Sequence, residues 1–273
     1  MHKKRIIGLL TDFGQKGSHY VASMKAVILK INPDAKIIDI THEINPFSII
    51  EASYILKATL DYFPEDSIII IVVDPGVGSL REILGLKLKS NKYLIGPNNG
   101  LFGITLESKE ISKCINLNKK EYFLDSISET FHGRDIMAPV AAHLSLGKEL
   151  SDLGENFLKE NILSLQKYRN LPIYSDDGIK CYIQYIDNFG NAITNFSVNN
   201  SKDIFKIQDG ADLGIVFKEK MFKGKFTSYF GKVPIGSLIF LEGSTGFFEI
   251  SINQGNAQQY IGFNTGDIIT IIK

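Results

Sequence analysis

Asp12, Asp74 and His132 stand at points where the pattern of this sequence changes from one element to the next, and Arg81 follows Asp74 by seven residues. Carboxylates, a guanidinium and an imidazole gathered in one place can hold a polar ligand and handle a proton. A plainer reading of each stays open at this level. Asp12 can cap its own turn, Asp74 can cap a turn with Arg81 as its ion-pair partner, and His132, between Phe131 and Gly133, can be a hydrogen-bonded core histidine.

The elements that must position these residues can be read from the apolar pattern. Ile68 to Val73 is a run of β-favouring residues too short for a typical helix, so it reads as a central strand buried on both faces and stopped by Pro75-Gly76. Asp74 then sits at the carboxyl end of that strand, where ligands bind in open α/β sheets. Ile6 to Leu10 reads as the first strand and Thr11-Asp12-Phe13-Gly14 as its turn; Tyr20, Met24, Val27, Ile28 and Ile31 follow at helical spacing until Asn32-Pro33. Lys36 to Ile40 is a second strand and Phe47 to Tyr62 a second helix. This alternation predicts an α/β domain with a parallel or mostly parallel sheet covered by helices, and such a sheet puts Asp12 and Asp74 on one edge as neighbours. Ile83 to Leu88 and Tyr93 to Ile95 read as further strands, and Gly96 to Gly100 as a loop. Phe131-His132-Gly133-Arg134-Asp135 precedes an apolar helix from about Ile136 to Leu146, with Asp135 as its possible N-cap.

Between Leu163 and Asp177 the periodicity lapses into a linker, which divides an N-terminal domain, 1–164, from a C-terminal one, 178–273. In the second, short strand-like pieces alternate with glycine turns without a convincing helix, the pattern of a small β-barrel or sandwich. Asp187-Asn-Phe189-Gly-Asn191 reads as a hairpin turn; as a site it would offer an amide to a nucleobase edge and a ring for stacking. Gly243-Ser244-Thr-Gly246 and Asn253 to Ala257 are similar turns, and Glu249, between Phe248 and Ile250, falls by default on a solvated strand face.

Composition excludes several classes of partner. The chain has 273 residues, with 30 Lys+Arg against 30 Asp+Glu, so no net field draws nucleic acid or an anionic membrane surface, and a small molecule is the expected partner. Cys114 and Cys181 are isolated in strand-like segments, as buried free thiols of a reducing compartment would be. The basic N-terminus leads into an apolar run too short for a signal peptide and ending in Asp12, and no stretch has transmembrane length, so a cytoplasmic protein is expected. His2, His19, His42 and His143 have no metal-ligand spacing and read as structural or surface residues. Gly76-Val-Gly78 and the glycine loop at 96–100 match neither the Walker pattern nor the dinucleotide fingerprint.

Taken in order, Thr11-Asp-Phe-Gly14, Thr41-His42 with Pro46, Asp74-Pro-Gly-Val-Gly78 with Arg81, Gly96-Pro with Asn99-Gly100, Phe131-His-Gly-Arg-Asp135, Asp187 with Phe189-Gly-Asn191 and Thr194-Asn195, and Gly246 to Asn256 form a pattern covering nearly the whole chain. It resembles the S-adenosylmethionine hydrolase family, also called S-adenosylmethionine hydroxide adenosyltransferases, relatives of the bacterial fluorinase and chlorinase. The resemblance implies an N-terminal α/β domain, a C-terminal β-barrel and a homotrimer whose active sites lie at subunit interfaces. It implies that Asp74, Arg81 and His132 hold the water. Asp12 would hold the ribose hydroxyls, Phe189, Asn191 and the backbone near Ile252 would face adenine, and Asp187 with Ser244 would hold the methionine part. Gly17-Ser18-His19 departs from the acidic residue that many members carry in that turn, and Glu249 is the residue expected to supply the charge.

The implied reaction suits these groups. A sulfonium leaves as a neutral thioether and needs no general acid, metal or cofactor, so the burden falls on the nucleophile. A carboxylate with a pKa of about 4 cannot fully deprotonate water with a pKa of about 15.7; Asp74 must accept the proton as attack on C5′ proceeds, or help hold a hydroxide with Arg81 and His132. The halogenating relatives replace the aspartate and the histidine, so their presence here points to water. The rival expectations are halide-dependent adenosyl transfer and a non-catalytic binder of adenosine or S-adenosylmethionine.

Overall fold

The computed structural model of the chain describes residues 5–106, 110–198 and 207–273; His2 lies outside them. It divides into two compact units, Met1–Leu165 and Gln166–Lys273. No helix among the described residues is long and apolar enough to cross a membrane.

Unit 1 comprises β1 (Ile6–Thr11), α1 (Ser18–Ile31), β2 (Lys36–Thr41), α2 (Ile49–Leu60), β3 (Ile68–Val72), β4 (Ile83–Leu88), β5 (Tyr93–Pro97), α3 (Leu101–Thr105), β6 (Ile111–Asn116), α4 (Ala138–Ser145) and β7 (Glu155–Asn156). The sheet order is β2-β1-β3-β5-β4-β6-β7, parallel across the first four strands and antiparallel beyond. β3 is buried on both faces, as its unbroken apolar run demands. Ile68, Ile70 and Val72 pack with Met24 and Ile28 of α1 and Val140 and Leu144 of α4. Ile69 and Ile71 share the opposite core with Ala52 and Leu56 of α2 and Phe102 of α3.

This order creates the place for a site. From β1 the chain crosses through α1 to β2 on one side; from β2 it crosses through α2 to β3 on the other. The crevice at the carboxyl ends of β1 and β3 is therefore the switch point of the sheet. Thr11 of β1 is in register with Val72 of β3, so Asp12 and Asp74 emerge side by side.

Two expected boundaries are corrected. The second helix does not include Phe47, which has a φ of 67°; Ser48 is the N-cap, its side chain accepting the N–H of Glu51, and the helix starts at Ile49. Asp135 is not an N-cap. Gly133–Met137 form a turn of π-helix that runs into α4, His132 occupies the cap position, and Asp135 is inside the turn and fully buried. Its carboxylate accepts the Ser128 N–H at 2.8 Å and the Arg134 Nε–H at 2.6 Å. Single π turns of this kind are frequent at functional sites.

Unit 2 comprises β8 (Ile173–Ser175), β9 (Gly178–Ile186), β10 (Ala192–Ser197), β11 (Asp212–Phe217), β12 (Lys220–Phe226), β13 (Leu238–Glu242), β14 (Phe247–Ile252), α5 (Ala257–Ile261) and β15 (Ile268–Ile272). The order β10-β14-β13-β12-β11-β15-β9 closes on itself through the β9–β10 pairing, giving a barrel with no free edge, and β8 pairs outside it on β9. Phe226, Phe240 and Phe248 stack inside. The segment 163–177, expected to be a linker, thus contributes a strand, and α5 is a helix the glycine-rich pattern does not suggest.

Candidate active site

At the switch point in unit 1 lies a cavity of about 270 Å³, lined among others by Asp12, Phe47, Asp74, Phe131 and His132. Asp74 follows β3, and its carboxylate makes the contacts of both sequence readings at once. Oδ1 accepts the Gly76 N–H at 3.3 Å, which caps the turn, and the Arg81 Nε–H at 2.7 Å; Arg81 Nη2 pairs with Oδ2. The two side chains are 5% and 10% exposed, so the pair is charge-compensated but nearly dry. Burial holds the Arg81 guanidinium below its ordinary pKa. Gly78 lets this loop close. With a φ of 82° it packs where a Cβ would stand 2.5 Å from the Glu129 carbonyl oxygen, so the loop bearing Asp74 rests on the segment that leads to His132.

Burial, and after it the charge of Arg81, lowers the His132 pKa below 6.5, while Asp135 opposes the shift. The imidazole is therefore neutral at pH 7. Among the described residues, Arg81 Nη1 and His132 Nδ1 are buried without a hydrogen-bond partner. A buried donor or acceptor left so costs about 1–3 kcal/mol unless something else satisfies it, and a small polar ligand in the cavity is such a group.

Asp12 is half-buried, and its Oδ2 accepts the Phe47 N–H at 2.8 Å. Burial raises its pKa above 3.8, and the backbone hydrogen bond partly offsets this. Phe47 is a residue that sequence reasoning missed. It is 68% exposed at the cavity mouth in a left-handed conformation that Phe rarely adopts, held by the capping of α2 behind it and by Asp12 in front. Ser48 followed three residues later by Glu51 is a capping-box signature, and it would have put Phe47 outside the helix. His42, read as structural or surface, bonds Thr11 Oγ1 through Nδ1 at 2.9 Å. Ser18 and His19 begin α1 and are exposed.

Unit 2 carries a second cluster. Asp187 follows β9; its Oδ1 accepts the N–H groups of Phe189 and Asn191 at 2.9 Å each, and its Oδ2 accepts from Asn191 Nδ2, also at 2.9 Å. Gly190, with a φ of 81°, fits against Asn256 where a Cβ would be 2.1 Å from Oδ1, and Asn256 in turn caps α5. The ring of Phe189 is consequently pushed out at the turn tip, 75% exposed. Glu249, on β14, is half-buried rather than solvated. Its carboxylate accepts from Ser251 Oγ at 2.8 Å, and burial first, with the charge of Asp187 adding to it, raises its pKa above 4.5. It folds toward Gly243, beside exposed Ser244, whereas Ile252 is buried at the other end of β14 and gives its carbonyl to the Gly255 N–H. The structure thus gathers Asp12, Asp74, Arg81 and His132 in one unit, and Asp187, Phe189 and Asn191, with Glu249 close by, in the other. Both cysteines are free and buried, which pushes each thiol up to about 12.

The SAM hydroxide adenosyltransferase N-terminal domain model matches residues 7–154, and the C-terminal domain model of the same family matches residues 181–270. A Methanocaldococcus jannaschii protein named (R)-S-adenosyl-L-methionine hydrolase is 38% identical, with 98% of this chain and 95% of that one aligned. A crystal structure of an uncharacterized conserved protein from Thermotoga maritima superposes with a TM-score of 0.90 at 36% identity, over 98% of this chain and all of that one. A more distant relative, 24% identical over 71% of each chain, is a fluorinase from Nocardia brasiliensis.

Proposed function

The chain belongs to the SAM hydroxide adenosyltransferase family, and from that premise we propose that it hydrolyses S-adenosyl-L-methionine to adenosine and L-methionine, with Asp74, Arg81 and His132 holding the water that attacks C5′. The observation that carries the assignment is the pair of buried, unpartnered nitrogens, Arg81 Nη1 and neutral His132 Nδ1, where His132 and Asp74 line the cavity and Arg81 is held on Asp74. A water there donates to one acceptor and accepts from one donor while the carboxylate stands by for its proton.

The balance of charge supports the same reading. The sulfonium is a cation and the nucleophile gains negative character, so charge is annihilated in the transition state, and a dry site favours that step. The leaving thioether is neutral and asks nothing of the protein. Asp12 holds the ribose hydroxyls, and Phe47 covers the nucleoside. On unit 2, Phe189 stacks on adenine and Asn191 and the backbone near Ile252 meet its edge, while Asp187, Ser244 and Glu249 serve the amino-acid end. In this reading the enzyme is a homotrimer in which unit 1 of one subunit and unit 2 of the next complete each site. It needs no cofactor, and it works in the cytoplasm, where free thiols such as Cys114 and Cys181 stay reduced.

The test is product analysis of the purified protein with S-adenosyl-L-methionine, with and without added chloride. Adenosine and methionine forming at a rate independent of chloride is the expected result. Chlorinated nucleoside would replace water by halide as the nucleophile, and adenosine bound tightly without turnover would make the protein a binder.

A further inference from the structure

Thr11 precedes Asp12 and is fully buried at the end of β1. Its hydroxyl oxygen accepts the Phe13 N–H at 3.4 Å and lies 2.9 Å from His42 Nδ1. His42 Nε2 lies 3.1 Å from Asp39 Oδ1, and Asp39 Oδ2 accepts from Lys25 Nζ at 2.6 Å. The backbone of His42 holds the same turn from its other side, where its carbonyl accepts the Gly14 N–H at 2.7 Å. One residue after β2 therefore grips the chain on both sides of Asp12. Asp12 and Phe13 line the cavity; Thr11, His42, Asp39 and Lys25 do not.

We infer that Thr11, His42 and Asp39 form a positioning relay that aims the Asp12 carboxylate at the ribose hydroxyls, an inference that rests on the proposed role of Asp12. The direction of the hydrogen bonds follows from the donors available. Asp39 offers only acceptors, so His42 Nε2, 3.1 Å from its Oδ1, is the nitrogen that carries the ring hydrogen, and Nδ1 is then left to accept from the Thr11 hydroxyl. His42 Nε2 lies within ion-pair distance of the Asp39 carboxylate without the alignment of a full hydrogen bond, and Lys25 balances the charge of that carboxylate. A hydroxyl, an imidazole and a carboxylate in this order are the residue types of a nucleophilic triad. Here the hydroxyl is sealed from any ligand, so the relay supplies order in place of reactivity.

A purely structural role and a positioning role separate by ligand choice. The experiment measures adenosine and 2′,3′-dideoxyadenosine binding calorimetrically to the full-length protein and to Thr11→Val, Thr11→Ser, His42→Ala, His42→Asn and Asp12→Ala. Asp12→Ala should abolish the preference for the ribose with hydroxyls. Thr11→Val and His42→Ala should weaken adenosine by about fivefold to tenfold, the size of one hydrogen bond, while dideoxyadenosine binding stays within about twofold. Thr11→Ser, which keeps the hydroxyl, and His42→Asn, which keeps a polar atom near Nδ1, should recover most of the preference, and they carry the test if the harsher variants do not fold. Equal losses for both nucleosides, or an undiminished preference in Thr11→Val and His42→Ala beside its loss in Asp12→Ala, would overturn the relay. A preference that survives Asp12→Ala would overturn the ribose assignment and the relay with it.

Discussion

Arg81 donates its Nε–H to Asp74 Oδ1 at 2.7 Å in a setting where neither side chain is more than 10% exposed. A pair so poorly solvated is costly to break from one side, because the surviving charge has neither water nor partner; truncating one member of such a pair typically costs about 3–5 kcal/mol. In the proposed reaction the same pair also holds the nucleophile, so its loss should register in two separate assays.

Asp74→Asn is expected to lower kcat by about 10²- to 10⁴-fold, the usual range for removal of a positioned base. Arg81→Ala should in addition lower the urea midpoint, since it strands the Asp74 carboxylate. Variants that keep full turnover would remove both residues from the chemistry.

The pH dependence follows from His132. Its pKa is lowered from 6.5 by burial and then by Arg81, so the folded protein keeps the ring neutral where the unfolded chain has begun to protonate. The acidic limb of kcat should therefore lie below pH 6.5, and Arg81→Gln, which removes the second cause, should move it up. For stability the sign is fixed by the same shift. Below 6.5 the unfolded state binds more protons than the native one, so stability declines as the pH falls through that window, and His132→Gln should flatten this decline. Denaturant titrations at pH 7.5 and 5.5 give the comparison.

Phe47 separates strain from function. At a φ of 67° a non-glycine residue carries a cost of about 1–2 kcal/mol, so Phe47→Gly should raise the thermal midpoint relative to Phe47→Ala. Both variants should raise KM, because both lose the ring at the cavity mouth. An unchanged KM would leave Phe47 as an ordinary turn residue.

In unit 2, Asn191→Asp replaces the Nδ2 donor to Asp187 with a carboxylate oxygen. Repulsion between the two charges should destabilise the protein by about 1–3 kcal/mol at neutral pH and by less at pH 4, where the pair can share a proton. Circular-dichroism melts at the two values measure the difference.

The positions of Asp12 and Asp74 were legible in the sequence because a parallel sheet leaves little choice. Two strands feeding right-handed crossovers bring their carboxyl ends to one edge, and the unbroken run Ile68 to Val73 marks the centre. Asp135 was misread because a carboxylate ahead of an apolar run looks the same whether it caps a helix or lies inside a π turn; what decides is the Ser128 N–H seven residues earlier, a tertiary contact. His42 was set aside for want of metal spacing, since its partner Thr11 is 31 residues away and reached only through the sheet. In the barrel, α5 has five residues, too few to show a helical period, and β12 (Lys-Met-Phe-Lys-Gly-Lys-Phe) is largely exposed, with no apolar face to announce it.

In the proposed reaction, water held by Asp74, Arg81 and His132 attacks C5′. Turnover of S-adenosyl-L-methionine in ¹⁸O-enriched water, followed by mass spectrometry of both products, tests it directly. Label at the 5′ oxygen of adenosine beside unlabelled methionine is the expected result. Unlabelled adenosine, or label in methionine, would place the new bond elsewhere and contradict the account.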